Sequence, residues 1–160
     1  IAALINHDPV SASLCAAAGC PVELTPTRVN YAALVLSSRR TEAGFHPSDS
    51  LGVDVRAVHE RSSMPKSPLG PSLVGGFGKR VAPGLFAGEE GTEVEIPITG
   101  FVRAILEGDS VGGFPPPRSL ALLSAFEPSS LTFASFFGPG TAGAPVLKLI
   151  VTAGRSVQLP

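Results

Sequence analysis

The sequence predicts an all-β protein, and three observations support that class. Glycine and proline are abundant, with 18 Gly and 16 Pro among 160 residues and no Gly-X-Y period, so the chain contains many turns. Apolar residues recur in short runs of strand length, and several of these runs alternate with polar residues. No helical stretch separates successive runs, which argues against alternating strand–helix–strand units.

The N-terminal segment differs from the rest of the chain. Asp8 and Pro9 can cap and begin a short helix that Gly19 would end. We therefore predict an N-terminal arm or short helix over residues 1–21, followed by one β domain over residues 22–160, a size that suits a single core.

Two cysteines, Cys15 and Cys20, lie in the N-terminal segment. A single C-x4-C pair without further cysteines or a histidine cluster is a poor metal site, and a disulfide there would close only a small loop. Two buried free thiols are the better interpretation, which weakly indicates a reducing compartment.

Three runs in the first two thirds of the domain are predicted strands. Residues 31–37 form an apolar run, and residues 51–58 alternate. Residues 92–98 also alternate, and Pro97 within them indicates a sheet edge or a bulge. In the second run one face is apolar, and its members are Leu51, Val53, Val55 and Ala57.

The remaining runs bring the number of predicted strands to eight. Residues 101–107 fit either a strand or a short helix, and the other candidates are residues 119–126, 131–137, 146–152 and 156–159. Long Pro/Gly loops suit the end-to-end crossings of an eight-stranded antiparallel jelly-roll sandwich. We expect Ile150 to be buried in the strand over residues 146–152, so that Ile150→Asp prevents folding.

Charged residues make up only 16% of the chain, against about 25% in ordinary soluble domains. The deficit is concentrated in residues 110–160, which contain four charged side chains. A segment so poor in charge is either deeply buried within the fold or covered by a partner. We therefore predict contacts with further copies of the chain, and the aromatic candidates for such an interface are Phe126, Phe133, Phe136 and Phe137.

The sequence contains no metal-binding motif and no complete catalytic constellation. The three histidines are not in metal-ligand spacing. One G-x-S-x-G sequence is present at residues 108–112 (GDSVG), but it opens a Pro/Gly-rich loop and not the helix of a nucleophile elbow. The run from Gly75 to Lys79 (GGFGK) lacks the spacing of a phosphate-binding loop and predicts a turn with positive φ. We therefore predict a protein that is not an enzyme and holds no metal or cofactor. No run reaches the length of a membrane span, so no membrane partner is expected.

The order of these features resembles a known family. The strand at residues 31–37 is followed by Leu51-Gly52-Val53, a loop rich in Ser and Pro, and Gly75-Gly76. An acidic–apolar strand at residues 93–98 follows, and a Gly/Pro loop leads to the final strand at residues 146–152. Over about four fifths of its length the chain resembles the coat proteins of small icosahedral plant RNA viruses, most closely the tymovirus type. Its short N-terminus and its Cys-containing helix depart from that pattern.

The resemblance implies a structural capsid protein with a jelly-roll fold. Many copies would self-assemble into an icosahedral shell around a single-stranded RNA genome, in the virion and, during assembly, in the host cytoplasm. The RNA would be bound without sequence specificity, with polyamines or divalent cations as counterions. The basic residues that could contact it are Arg28, Arg39, Arg40, Lys79 and Arg80.

Two other functions fit the same strand pattern. An oligomeric cellular β-sandwich, which assembles as a trimer or binds a ligand, would share the buried interface. A closed trimer in place of a shell would distinguish it. A jelly-roll viral movement protein would bind single-stranded nucleic acid and should be more basic than this chain, whose formal net charge is −1.

Overall fold

The computed structural model describes residues 24–42, 49–76, 78–108, 117, 119–125 and 134–152. The predicted arm over residues 1–21, with Cys15 and Cys20, lies outside the described residues. The same holds for the strand predicted over residues 156–159.

The all-β prediction is confirmed in the described residues, which form two antiparallel sheets, two short α-helices and two single-turn 3-10 helices. Seven strands lie within these described residues, where eight were predicted for a jelly roll in the whole chain. The strands are β1 (Val29–Ser37), β2 (Leu51–Val58), β3 (Leu69–Ser72), β4 (Lys79–Val81), β5 (Glu93–Pro97), β6 (Ser119–Ser124) and β7 (Val146–Val151). The helices are α1 (Gly84–Ala87) and α2 (Thr99–Glu107).

The first sheet has three strands in the order β5-β1-β7, with β1 in the centre. Ala33 of β1 lies opposite Pro97 on one side and Lys148 on the other. Because Pro97 has no N–H to donate, its place on an edge strand agrees with the prediction from the sequence.

The second sheet is built around β2. Strand β6 pairs with it from Val53 to Val58. Strands β3 and β4 pair with the two ends of β2, at Val58 and Leu51 respectively. Because β6 already occupies one edge of β2, β3 and β4 share the other edge, and the glycine-rich loop between them lies beside the middle of β2.

Both sheets contribute to one hydrophobic core. The predicted inner face of β2 is confirmed, since Leu51, Val53, Val55 and Ala57 are each at most 4% exposed. Burying a Val, Leu, Ile or Phe side chain of this kind contributes about 1.5–3 kcal/mol. Other buried members of the core are Val29, Ala32, Leu36, Val81, Phe86, Val94, Ile96, Ile98, Phe101 and Val102.

The ambiguous run over residues 101–107 is a helix and not a strand. Phe101 and Val102 are buried, and Ile105 packs beside them, which is the spacing of one helical face. The helix ends at Gly108, whose φ of 76° suits a left-handed C-cap. The Arg103 guanidinium donates two hydrogen bonds to the Val29 carbonyl, at 2.9 and 2.7 Å, and so joins α2 to β1.

Two further expectations are wrong. In the described part of the strand predicted over residues 131–137, only Phe136 forms a bridge, with Ser38, and no strand is present. Ile150 is 50% exposed, because the inward side chains of β7 are Leu147, Leu149 and Val151. The strand over residues 146–152 was predicted and is present as β7, but the burial of Ile150 within it was predicted incorrectly.

Candidate functional site

Four of the five predicted RNA-contact residues are associated with the same end of the fold. Arg39 and Arg40 follow the last residues of β1, and Lys79 and Arg80 belong to β4. Thr41 ties the two regions together, because its amide donates to the carbonyl of Phe86 (3.1 Å) in α1, shortly after β4. These four side chains are exposed.

Arg28 lies apart from the other four. It precedes β1, whereas Arg39 and Arg40 follow it, and a nine-residue strand is about 30 Å long. The structure therefore does not bring Arg28 together with the other predicted contacts, and a single nucleic-acid surface would have to extend over the length of β1.

Carboxylates accompany the basic residues at that end. The Glu90 side chain accepts a hydrogen bond from the Arg40 amide (3.3 Å), and Glu42 and Glu89 are exposed nearby in sequence. Mixed signs weaken the attraction of this region for phosphate. Any RNA bound here would need additional counterions.

Two of the four predicted interface aromatics are described. The Phe136 ring packs edge-to-face on Phe86, with centroids 5.5 Å apart, and so joins the hydrophobic core. Phe137 packs on the following turn, because a β-carbon on Gly143 would lie 2.6 Å from its ring. Both are partly buried, and Phe126 and Phe133 lie outside the described residues.

The clearest exposed apolar surface lies on the side of the three-stranded sheet that faces away from the core. Paired residues in antiparallel strands share a face, so the register assigns the members of this outer face. Val146 and Ile150 on it are 58% and 50% exposed. The outer face consists of Tyr31, Ala33, Val35, Ser37, Glu93, Glu95, Pro97, Val146, Lys148 and Ile150.

An ion pair crosses the outer face. The Lys148 Nζ of β7 lies 2.7 Å from Glu95 Oε1 of β5, on the far side of β1. Ala33 beneath this pair is fully buried, although it belongs to the outer face. Hydrogen bonding to Glu95 and the charge of that carboxylate raise the pKa of Lys148 above its ordinary value. At neutral pH Lys148 therefore remains charged.

A second polar group lies on the outward side of β2. The Asp54 carboxylate is nearly buried and accepts hydrogen bonds from Arg56 Nε (2.7 Å) and Ser72 Oγ (2.6 Å). The Leu73 amide donates to the Val55 carbonyl at 2.9 Å. These bonds fix the beginning of the glycine-rich loop against β2.

A cleft of about 490 Å³ lies between the residues after β3 and the start of α2. Its walls include Leu73, Val74, Ile98 and Phe101, and it is lined by no titratable side chain. The Thr99 hydroxyl on its wall is already bonded to the backbone of Ala32. The cleft therefore offers an apolar surface and no acid or base for chemistry.

Neither a cluster of possible metal ligands nor a membrane-spanning helix occurs in the part of the chain that the structure describes. No three His, Cys, Asp or Glu side chains cluster there, and none of its helices has the length and apolar character needed to cross a membrane.

Comparison with known proteins gives no relative. No family model, no curated protein and no solved structure matches the chain.

Sequence reasoning missed two polar contacts, one on each sheet. The pairing of Lys148 with Glu95 depends on the register of β7 and β5 against β1, and these residues are more than 50 positions apart. The burial of Asp54 was also missed, because an acid in an alternating strand ordinarily lies on the solvated face. The one related signal in the sequence was the low charge of residues 110–160, and it predicted neither of these two contacts.

Proposed function

We propose that the chain is a coat protein that self-assembles into an icosahedral shell around a viral RNA genome. An eight-stranded jelly roll, the non-specific binding of single-stranded RNA and a location in the virion belong to the same proposal. The described residues supply two antiparallel sheets with a shared core, which is the layer architecture that such a subunit needs.

The observation that carries the proposal is the distribution of exposed apolar side chains. Among the described residues, five large apolar side chains are 38–58% exposed, and they belong to different parts of the surface. Two lie on the three-stranded sheet, one on β6, and two on or beside β3; they are Val146, Ile150, Leu122, Leu69 and Met64. A shell subunit contacts neighbours on several sides, whereas a closed dimer needs a single patch.

Packaging of RNA would use the exposed basic residues at the end of β1 and in β4. Each phosphate contact releases a counterion, so binding weakens as salt rises and carries no base specificity. The nearby carboxylates of Glu89 and Glu90 agree with a supporting role for polyamines or divalent cations.

Nuclease protection of co-purified RNA tests the proposal. We expect particles that contain protected RNA, and we expect Arg39→Gln/Arg40→Gln/Lys79→Gln/Arg80→Gln to reduce the RNA content severalfold at equal particle number. Arg28→Gln is the control, because Arg28 lies at the opposite end of β1. Particles that retain RNA independently of salt, or without these four charges, would contradict the assigned contacts. A discrete trimer without RNA would favour the cellular β-sandwich.

A further inference from the structure

We propose that the outer face of the three-stranded sheet is a contact between two copies of the chain, in which the outer faces pack against one another. This contact presupposes the coat-protein function and assigns one of the surfaces that the shell would use. Its apolar centres are Val146 and Ile150, which flank Lys148 on β7.

The charges of the outer face favour a second copy as the occupant. The face has one cation, Lys148, which Glu95 already neutralises, and a second acid, Glu93. A nucleic acid or an anionic membrane would meet an acidic surface without an available cation. An identical face presents both signs, so Lys148 of one copy can approach Glu93 or Glu95 of the other.

The size of the face indicates a weak contact that acts together with others. Three strands of about six residues cover an area near 14 Å by 20 Å, or about 300 Å². A stable two-body interface buries about 800 Å² per partner. The face is therefore too small to hold a free dimer, but it is sufficient where several contacts close a shell and each increases the effective concentration for the next.

The face is a better contact than the edge of β7. The second edge of β7 is unpaired among the described residues. If two copies of β7 paired antiparallel with the two-fold axis at residue 148, a register that keeps both outer faces on the same side, Lys148 would lie opposite Lys148. Like charges opposite each other destabilise a strand pair, and lysine on an edge strand is a known protection against such pairing.

Charge reversal across the contact provides the test. Val146→Lys/Ile150→Lys and Val146→Glu/Ile150→Glu change exposed side chains, so both variants should keep the wild-type circular dichroism spectrum. In each variant alone, the yield of rapidly sedimenting particles should fall at least tenfold, because like charges would meet across the contact. A mixture of the two should recover assembly. Thr27→Lys/Glu107→Gln adds the same net charge as the lysine variant elsewhere on the surface and should assemble like the wild type.

The outcomes separate the contact from the function. Wild-type particles together with full assembly of both charged variants would overturn the contact and leave the coat-protein proposal standing. Loss of assembly in both variants without recovery on mixing would overturn face-to-face packing. A wild-type chain that never forms particles would overturn the proposed function and this contact with it.

Discussion

Gly78 lies directly against the carbonyl of Val53, and a β-carbon at this position would stand 2.7 Å from that oxygen. Its φ of 65° is left-handed as well. Both features are needed to bring the chain from the glycine-rich loop into β4 beside β2. The positive φ predicted for this run is therefore confirmed, and the close approach to β2 explains why glycine is required.

Gly78→Ala should lower the free energy of unfolding by about 2 kcal/mol or more, because it combines a left-handed alanine with a backbone clash. Urea denaturation followed by circular dichroism measures this. Gly76→Ala is the matched control, since nothing lies within 4 Å of its added methyl group and its φ is not positive. Equal stability of the two variants would contradict the position of the loop.

The Asp54 carboxylate should stabilise the fold through its two hydrogen bonds. Asp54→Ala removes the acceptor of Arg56 and leaves the Ser72 hydroxyl only the Gly75 carbonyl, 3.0 Å away, so we expect a loss in the free energy of unfolding of about 1–3 kcal/mol. Asp54→Asn keeps an acceptor for Ser72 and should lose less. The exposed Asp49 is the control, and its alanine variant should unfold like the wild type. A neutral effect of Asp54→Ala in urea denaturation would show that this network does not stabilise the fold.

The two isoleucines of the three-stranded sheet should respond differently to truncation. Ile96 of β5 is fully buried, so Ile96→Ala should cost about 2–5 kcal/mol. Ile150 is half exposed, so Ile150→Ala should cost less than about 1 kcal/mol. The denaturant midpoints of the two variants, each compared with the wild type, measure these losses. A larger loss for Ile150 than for Ile96 would mean that the inward face of β7 is reversed.

The Lys148–Glu95 pair predicts a dependence of stability on alkaline pH. Because Glu95 raises the pKa of Lys148, the pair contributes stability at neutral pH and loses it as the pH rises through the folded-state pKa, beyond the ordinary lysine value of about 10.4. Glu95→Gln should therefore be slightly less stable than the wild type at pH 7, with a difference that shrinks above pH 10.

Unfolding by urea at several pH values measures this difference. Glu93→Gln is the control, because Glu93 lies on the same face but acts on Lys148 only through its charge, which raises the pKa of Lys148 less than the contact with Glu95 does. A stability difference between the wild type and Glu95→Gln that stays constant or grows above pH 10 would contradict the pair.

Local patterns predicted the longer strands well. The alternation from Leu51 to Ala57 identified β2 with its bounds and its inner face, because both the spacing and the side-chain types agree with a half-buried strand. Residues 92–98 were predicted equally well, including the edge position of Pro97. The all-β class follows from these strands and from the frequent turns.

Features that depend on tertiary contacts could not be predicted in the same way. Strands β3 and β4 have four and three residues and form only because both pair with β2. The apolar residues of the segment Thr99–Glu107 suit either a strand or a helix, and the packing of Phe101 and Val102 on the core favours the helix. Lys148 and Glu95 meet only through the register of three strands.

The assembly state of the purified wild-type chain is the most direct test of the central claim, and sedimentation velocity combined with negative-stain electron microscopy measures it. We predict uniform spherical particles of at least about 60 copies, the number that icosahedral symmetry requires. A monomer or a discrete small oligomer, under conditions where the chain is folded and concentrated, would contradict the coat-protein function.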